Sequence, residues 1–175
     1  SMLGLLREYR LIPDGVPGFY KRDNDYRCVD MRPGIMIPLR DVEGRIQGIQ
    51  IRLDNAGNQK YRFLSSIYKK GGCGSKSWVH VSGEVEMGCE VILTEGALKA
   101  DVVNSITGKP VVAVPGVNSL KLLAPVLRYL QRVGIGRIMT AFDTDFYTNE
   151  HVSKGYEALL AMLQDYSFEY GTYLW

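Results

Sequence analysis

The sequence predicts an α/β protein: a mainly parallel sheet flanked by helices, preceded by an antiparallel β-meander. Three observations predict it. From Val91 onward, short apolar runs alternate with helical patterns and short connections, as in a parallel sheet covered on both faces. Two of those runs, Val91-Ile92-Leu93-Thr94-Glu95-Gly96 and Ile138-Met139-Thr140-Ala141-Phe142-Asp143-Thr144-Asp145, end in carboxylates. Between Gly34 and Leu64, strand-like stretches are separated by turn sequences.

The chain of 175 residues, 46% of them apolar, is long enough for one moderate domain with a smaller subdomain attached. We expect a basic subdomain over 1–82 and the α/β domain over 83–175. No apolar run approaches the length of a membrane span. Residues 1–82 carry 14 Lys/Arg against 8 Asp/Glu, and residues 83–175 carry 7 against 11. A basic front joined to an acidic back suits a polyanion beside a cation-binding site, although ordinary surface charge gives the same counts. Cys28, Cys73 and Cys89 are odd in number and widely spaced, which fits a reduced, cytoplasmic protein without a disulfide frame. Ser1-Met2 reads as a remnant of tag removal, and no signal series follows it.

In chain order, residues 3–12 read as a short helix, broken by Pro13-Asp14-Gly15 and Pro17-Gly18. Residues 19–34 are polar and turn-rich, a loop or an edge strand. Ile35 to Arg40, Arg45 to Arg52 and Lys60 to Leu64 form the meander, with turns at 41–44 and 54–58. In its second strand Arg45, Gln47 and Arg52 lie mainly on the polar side, and Arg40, Lys60 and Arg62 are candidates to join them. A basic face with Tyr61 nearby could track a nucleic-acid backbone and stack a base; a solvated sheet face reads the same way.

Residues 65–78 are rich in Ser, Gly and Lys, and a flexible loop is the default. Gly71-Gly72-Cys73-Gly74-Ser75-Lys76-Ser77 superficially resembles a P-loop, but Ser75 stands where a glycine must precede the lysine, and no apolar strand leads in. An ATPase reading fails. Cys73 and His80 without a partner pair make a weak metal site, so a loop thiol and a surface histidine are expected.

The second half reads as strand 91–94, helix 96–106, strand 111–114, a helix capped by Ser119 and running to about 133, and strand 137–142. Tyr156, Leu159, Leu160 and Leu163 mark a third helix, and Tyr170 to Trp175 a last strand. A chain ending there is expected to be a fragment of a longer protein. If the runs ending in Glu95 and in Asp143 and Asp145 are parallel strands of one sheet, their carboxylates meet at the edge where open α/β sheets bind ligands. Aspartates one residue apart just past a strand cannot both enter the core without an unpaired charge. Mg2+ (or Mn2+) accepts a few carboxylate oxygens and keeps several waters, which suits a Glu with an Asp-x-Asp; the bland alternative is a turn or a helix cap.

Thr94-Glu95-Gly96, Val114-Pro115-Gly116 and Phe142-Asp143-Thr144-Asp145 together resemble the Toprim fold of primases, topoisomerases, nucleases and recombination proteins. Ile37-Pro38-Leu39-Arg40-Asp41, Gly44-Arg45-Ile46-Gln47-Gly48 and Lys60-Tyr61-Arg62 resemble the segment that precedes Toprim in bacterial primases. The resemblance covers about residues 34–175 and is strongest to primase-related Toprim proteins of plasmids and mobile elements, often found with a helicase or zinc-finger module. It implies that Glu95 is the metal-linked or acid/base residue, that Asp143 and Asp145 bind Mg2+, and that Arg40, Arg52, Lys60 and Arg62 face single-stranded DNA or nucleotides. It further implies primer synthesis in DNA replication by nucleotidyl transfer.

Three departures stand out. Lys99 takes the place of an acid four residues after the glutamate, with Asp101 two further on; it can replace a metal by charge, bind phosphate, or be a solvated helix lysine. Phe146 to Ser153 lengthens the loop after the aspartates, and the chain ends before a further acidic element. Two other readings remain: a non-catalytic nucleic-acid-binding module supporting a helicase, and Toprim nuclease or topoisomerase chemistry. Haloacid-dehalogenase and nucleotide-sugar transferase readings of Asp-x-Asp fail on the late position of the pair and on Glu95-Gly96 respectively.

Overall fold

In the computed structural model, residues 4, 8–10, 12–29, 33–55, 57, 59–143 and 150–173 are described. The helix expected over 3–12, the turn residues Ala56 and Asn58, Asp145 with its flanking loop, and the last two residues fall wholly or partly outside them.

Two compact units divide the chain. One comprises residues 1–38 and 48–77, the other 39–47 and 78–175. This differs from the expected division at 82/83, because β6 (His80–Ser82) pairs with a strand of the second unit.

In the first unit, β1 (Phe19–Arg22) and β2 (Asp25–Cys28) form an antiparallel hairpin where the sequence suggested a loop or an edge strand. Asp23 and Asn24 join them with φ of 51° and 62°. Paired positive φ values match the twist of a hairpin, and Asp and Asn tolerate them. The meander is β3 (Gly34–Arg40), β4 (Ile46–Leu53) and β5 (Tyr61–Phe63), in that spatial order. Ile51 and Leu53 are buried with Leu64 while Arg52 between them is exposed, as period-two alternation requires.

The loop after β5 is more ordered than its composition suggests. Ser66, buried, donates its hydroxyl to the Phe19 carbonyl at 2.6 Å and accepts from the Cys73 amide at 3.0 Å. The Ser66 amide also bonds the Cys73 carbonyl at 2.9 Å. Gly72 lies against this serine so closely that a Cβ there would sit 2.1 Å from the Ser66 carbonyl oxygen.

The second unit is the expected α/β domain. Its five-stranded sheet has the order β10-β9-β7-β8-β6, where β7 is Val91–Glu95, β8 Val111–Val114, β9 Arg137–Ala141 and β10 Glu169–Thr172. Strands β7 to β10 are parallel, and β6 joins the edge antiparallel to β8. Continuous burial of the runs Val91–Thr94 and Val111–Val114 follows from cover on both faces. On one face α1 (Ala97–Thr107) presents Ala100 to Ile92, Val111 and Ala113. On the other, Leu127 and Leu130 of α2 (Ala124–Val133) and Tyr156, Leu159 and Leu163 of α3 (Glu150–Asp165) close over Val91, Leu93, Val112, Val114 and Ile138. The expected cap at Ser119 is not formed. Val117–Leu122 is instead a 3-10 segment in which Ser119 itself departs from helical geometry (φ −108°, ψ 21°), and α2 starts after it with proline in its first turn.

Candidate acidic site at the carboxyl edge of the sheet

The chain runs from β7 through α1 to β8 on one side, then returns past β7 to β9 on the other. That reversal makes β7 the switch point, where crossover connections leave in opposite directions and open a crevice at the carboxyl ends. Glu95 closes β7 and Asp143 follows β9 by two residues. Register pairs Thr94 with Ala141, so the two acids leave adjacent strands at one edge. This is the juxtaposition that the sequence predicts for Glu95 and Asp143; Asp145 lies outside the described residues.

Local chemistry holds this edge in place. Thr94 is fully buried and donates its hydroxyl to the Ala141 carbonyl at 2.6 Å, which ties β7 to β9 two residues before Asp143. Gly96 turns the chain at φ 86°, and its amide bonds the Val114 carbonyl at 3.1 Å. Gly116 lies beside the carboxylate: a Cβ there would meet Glu95 Oε1 at 3.9 Å, an ordinary contact. Glu95 itself is exposed.

Lys99, in the first turn of α1, reaches across and donates from Nζ to Asp143 Oδ1 at 2.5 Å. A cation in the first turn opposes the helix dipole, and no acidic residue stands there. Its carboxylate partner offsets that disadvantage. Lys99 thus belongs to the acidic site and is not a solvated helix lysine.

Asp101 does not join the site. His80 is buried, with its Nδ1 accepting from the Arg40 amide at 2.9 Å and its Nε2 facing Asp101 Oδ1 at 2.9 Å. An accepting Nδ1 puts the proton of the neutral ring on Nε2, which therefore donates to Asp101. Ser82 donates to the same oxygen at 2.7 Å. The surface histidine expected from sequence is therefore a core residue linking β6, α1 and the end of β3. Its place in a short apolar run, Val79-His80-Val81, was the available signal.

The basic residues of the meander do not form the single face expected of them. In the β4–β5 register Arg52 stands opposite Tyr61, whereas Arg62 stands opposite Ile51. Directly opposed residues share a face, so Arg52 and Tyr61 lie on one side and Arg62 on the other. Lys60, which accepts from the Leu53 amide at 2.9 Å, alternates with Tyr61 and falls on the side of Arg62. Arg40 belongs to the other unit and donates from its guanidinium to the Gly44 carbonyl at 2.9 Å. Arg45 is held by Asp41 at 2.9 Å and Glu43 at 2.7 Å, and Gln47 by the Val79 carbonyl at 2.7 Å. Arg52 thus shares its face of the sheet with Tyr61, and Lys60 shares the opposite face with Arg62.

The donors at this edge are of the oxygen type that a hard divalent cation takes, with one Asp143 oxygen engaged by Lys99. Glu95 and Asp143 offer exposed carboxylate oxygens at one edge, and oxygen ligands with room for water are what Mg2+ takes. Among the described residues no three carboxylate, histidine or cysteine side chains cluster closely enough to hold a metal alone.

No family model and no curated protein sequence matches the chain. Solved structures do. The zinc-binding and RNA polymerase domains of the Aquifex aeolicus primase match with a TM-score of 0.68 at 19% identity, over 99% of this chain and 42% of that one. A DnaG primase catalytic domain bound to single-stranded DNA matches at 0.60 and 15% identity, over 99% of this chain and 53% of that one. The primase fragment of the bacteriophage T7 primase-helicase protein matches at 0.54 and 18% identity, over 89% of this chain and 56% of that one. The chain thus spans about half the length of the structures it matches. Among the described residues no helix is long and apolar enough to cross a membrane.

Proposed function

We propose, for a chain with the Toprim-containing fold of DnaG-type primase catalytic cores, that it binds single-stranded DNA and nucleotides and serves primer synthesis by nucleotidyl transfer. The observation that carries this is the meeting of Glu95 and Asp143 at the switch point of the sheet, on adjacent strands and with Lys99 between helix and acid. Glu95, Asp143 and Asp145 would hold Mg2+ or Mn2+, which when bound supplies positive charge to stabilise phosphoryl oxygens. Glu95 is suited to hold or move a proton at the attacking hydroxyl. Lys99, already aimed at the edge, is suited to bind a nucleotide phosphate. Arg52, with Tyr61 opposite it, would steady the template or the nucleotide, with Arg40, Lys60 and Arg62 as further cations. Replication of a mobile element, alongside a helicase or zinc-finger module in the same or a partner chain, is the biological setting we infer, in the cytoplasm and away from membrane.

A second reading rests on one specific contact. The Lys99 ammonium occupies an oxygen of Asp143, a charge neutralisation that a metal would otherwise supply. A non-catalytic module that positions DNA for a helicase follows if the lysine has replaced the metal outright.

Calorimetry separates the two. Mg2+ and Mn2+ are titrated into the wild-type chain and into Asp143→Ala/Asp145→Ala, with and without single-stranded DNA. The catalytic reading expects metal binding that disappears in the double variant. Absence of metal binding in both, with DNA binding intact, overturns it and leaves the binding module.

A further inference from the structure

Helix α1 carries Lys99, and little apolar packing fixes α1. Its fully buried residues are two alanines, Ala97 and Ala100, with Val103 half-buried beside them. Methyl groups let a helix lie close to a sheet, but they interlock weakly with it and leave its rotation poorly determined. Gly96 stands at the amino end of the helix and supplies no side-chain cap. Polar contacts with the edge strand β6 place the helix instead. His80 Nε2 and Ser82 Oγ both donate to Asp101 Oδ1, at 2.9 and 2.7 Å. Just past β6, Gly83 lies so close to the helix that a Cβ there would sit 2.4 Å from Asn104 Nδ2. That amide donates in turn to the Lys109 carbonyl at 2.8 Å, ahead of β8.

Lys99 and Asp101 lie on opposite flanks of α1. Two residues turn an α-helix by roughly 200° at about 3.6 residues per turn. The sheet order β9-β7-β8-β6 puts their partners on opposite sides as well. Asp101 is held toward β6, and Lys99 is held by Asp143, just past β9. A roll about the helix axis moves both flanks together, so fixing Asp101 also fixes where Lys99 stands. His80 is the firm end of this brace. Its side chain is 2% exposed against 42% for Asp101, and its Nδ1 accepts from the Arg40 amide at 2.9 Å. A buried ring bonded through both nitrogens has one orientation, and losing either bond would leave a buried polar group unsatisfied.

We infer that His80 is a positioning residue for the acidic edge: by fixing Asp101 it sets the roll of α1 and so keeps Lys99 on Asp143. Ser82, which donates to the same Asp101 oxygen, supports it. The inference rests on the reading of that edge as the functional site, but the contact it concerns forms without metal or DNA.

The test uses the whole chain in EDTA, without DNA or nucleotide. A limiting amount of an amine-reactive acylating reagent is added, and mass spectrometry follows the labelling of Lys99 and Lys109. An ammonium bonded to a carboxylate is shielded from the reagent, and Asp143→Ala supplies the unshielded rate for Lys99. Lys109, bonded to Glu90 at 2.7 Å, reports any loosening of the whole unit. Glutamine at position 80 reaches as far as Nε2 and keeps a donor for Asp101. Asparagine keeps only an acceptor at the depth of Nδ1, for the Arg40 amide. His80→Asn is expected to raise Lys99 labelling roughly two- to fivefold, the range an exposed ion pair supports, with Lys109 unchanged. His80→Gln is expected to stay near wild type, and circular dichroism checks that both fold. Should His80→Asn not fold, Ser82→Ala is read in the same way, with a smaller rise. An unchanged Lys99 rate in His80→Asn, or an equal rise in His80→Gln, overturns the inference. So does a joint rise of Lys99 and Lys109, which makes His80 a general stabiliser of the unit. Mg2+ calorimetry on the wild type tests the edge itself, so failure here with metal binding intact removes the positioning role alone.

Discussion

A lysine in the first turn of a helix is an unfavourable choice unless something negative answers it. In this chain Asp143 answers it, and the pair decides what the acidic edge can do. Removing the ammonium leaves the Asp143 oxygen to any cation in solution. Lys99→Met is expected to raise Mn2+ affinity several-fold, about 1 kcal/mol after allowance for the solvent around both side chains, measured by calorimetry. The same variant should lose primer synthesis if Lys99 binds phosphate. A drop in metal affinity would instead show that the lysine orients the carboxylate for the metal. Lys99 was visible in the sequence as a departure from the primase pattern, but its partner was not. The choice between solvated lysine and site residue depends on a contact 44 positions away.

At the scale of elements, the two ends of the parallel sheet are treated differently. The carboxyl edge gathers Glu95, Asp143 and Lys99. Toward the amino edge stand Glu90 before β7, Lys109 before β8 and Arg137 at the start of β9, and the hydroxyl of Tyr173, which follows β10, reaches back to them. Lys109 donates to Glu90 Oε1 at 2.7 Å and the Tyr173 hydroxyl donates to the same oxygen at 2.8 Å. The hydrogen bond from Lys109, and then that from Tyr173, holds the Glu90 carboxyl below its ordinary range, and the bond to Glu90 raises Lys109 in turn. A carboxyl lowered in the folded state contributes stability that is present above its ordinary value, near 4.5, and is lost as pH falls through the folded value. The raised lysine contributes stability fully present below 10.5 and lost as pH rises beyond it. Thermal unfolding as a function of pH should therefore show an acid limb that Glu90→Gln flattens. An unchanged acid limb in that variant would remove Glu90 from the account.

For the whole molecule, the larger core of the second unit lies between one face of the sheet and α2 and α3, and a leucine within it measures its contribution. Leu127 of α2 is fully buried among Leu123, Leu130 and the β7–β8 side chains. Leu127→Ala removes buried methyl groups and leaves a cavity, for an expected loss of about 2–5 kcal/mol. Thermal melts followed by circular dichroism would read it, and a loss below about 1 kcal/mol would mean the site collapses around the alanine. Leu127 is on the apolar stripe visible in the sequence, so this prediction needs little beyond periodicity. The first unit shows the reverse. Its hairpin reads in sequence as a loop or an edge strand and its ordered loop as flexible, because the Ser66 hydroxyl finds its partners in backbone groups of Phe19 and Cys73 that carry no compositional signal.

The sequence alone determined the α/β class, the strand and helix alternation after Val91, the meander and the acids that end β7 and β9. Each of these follows from apolar periodicity and from carboxylates that cannot remain unpaired in a core. Only the tertiary structure decided that His80 is buried, that Asp101 serves it and not the acidic edge, and that Arg62 and Arg52 lie on opposite faces of a sheet. It also decided that Lys99 reaches Asp143. These are matters of register and of long-range pairing. A one-residue change of register reverses a side chain's face, and a hydrogen bond between distant residues leaves no periodic trace in the chain.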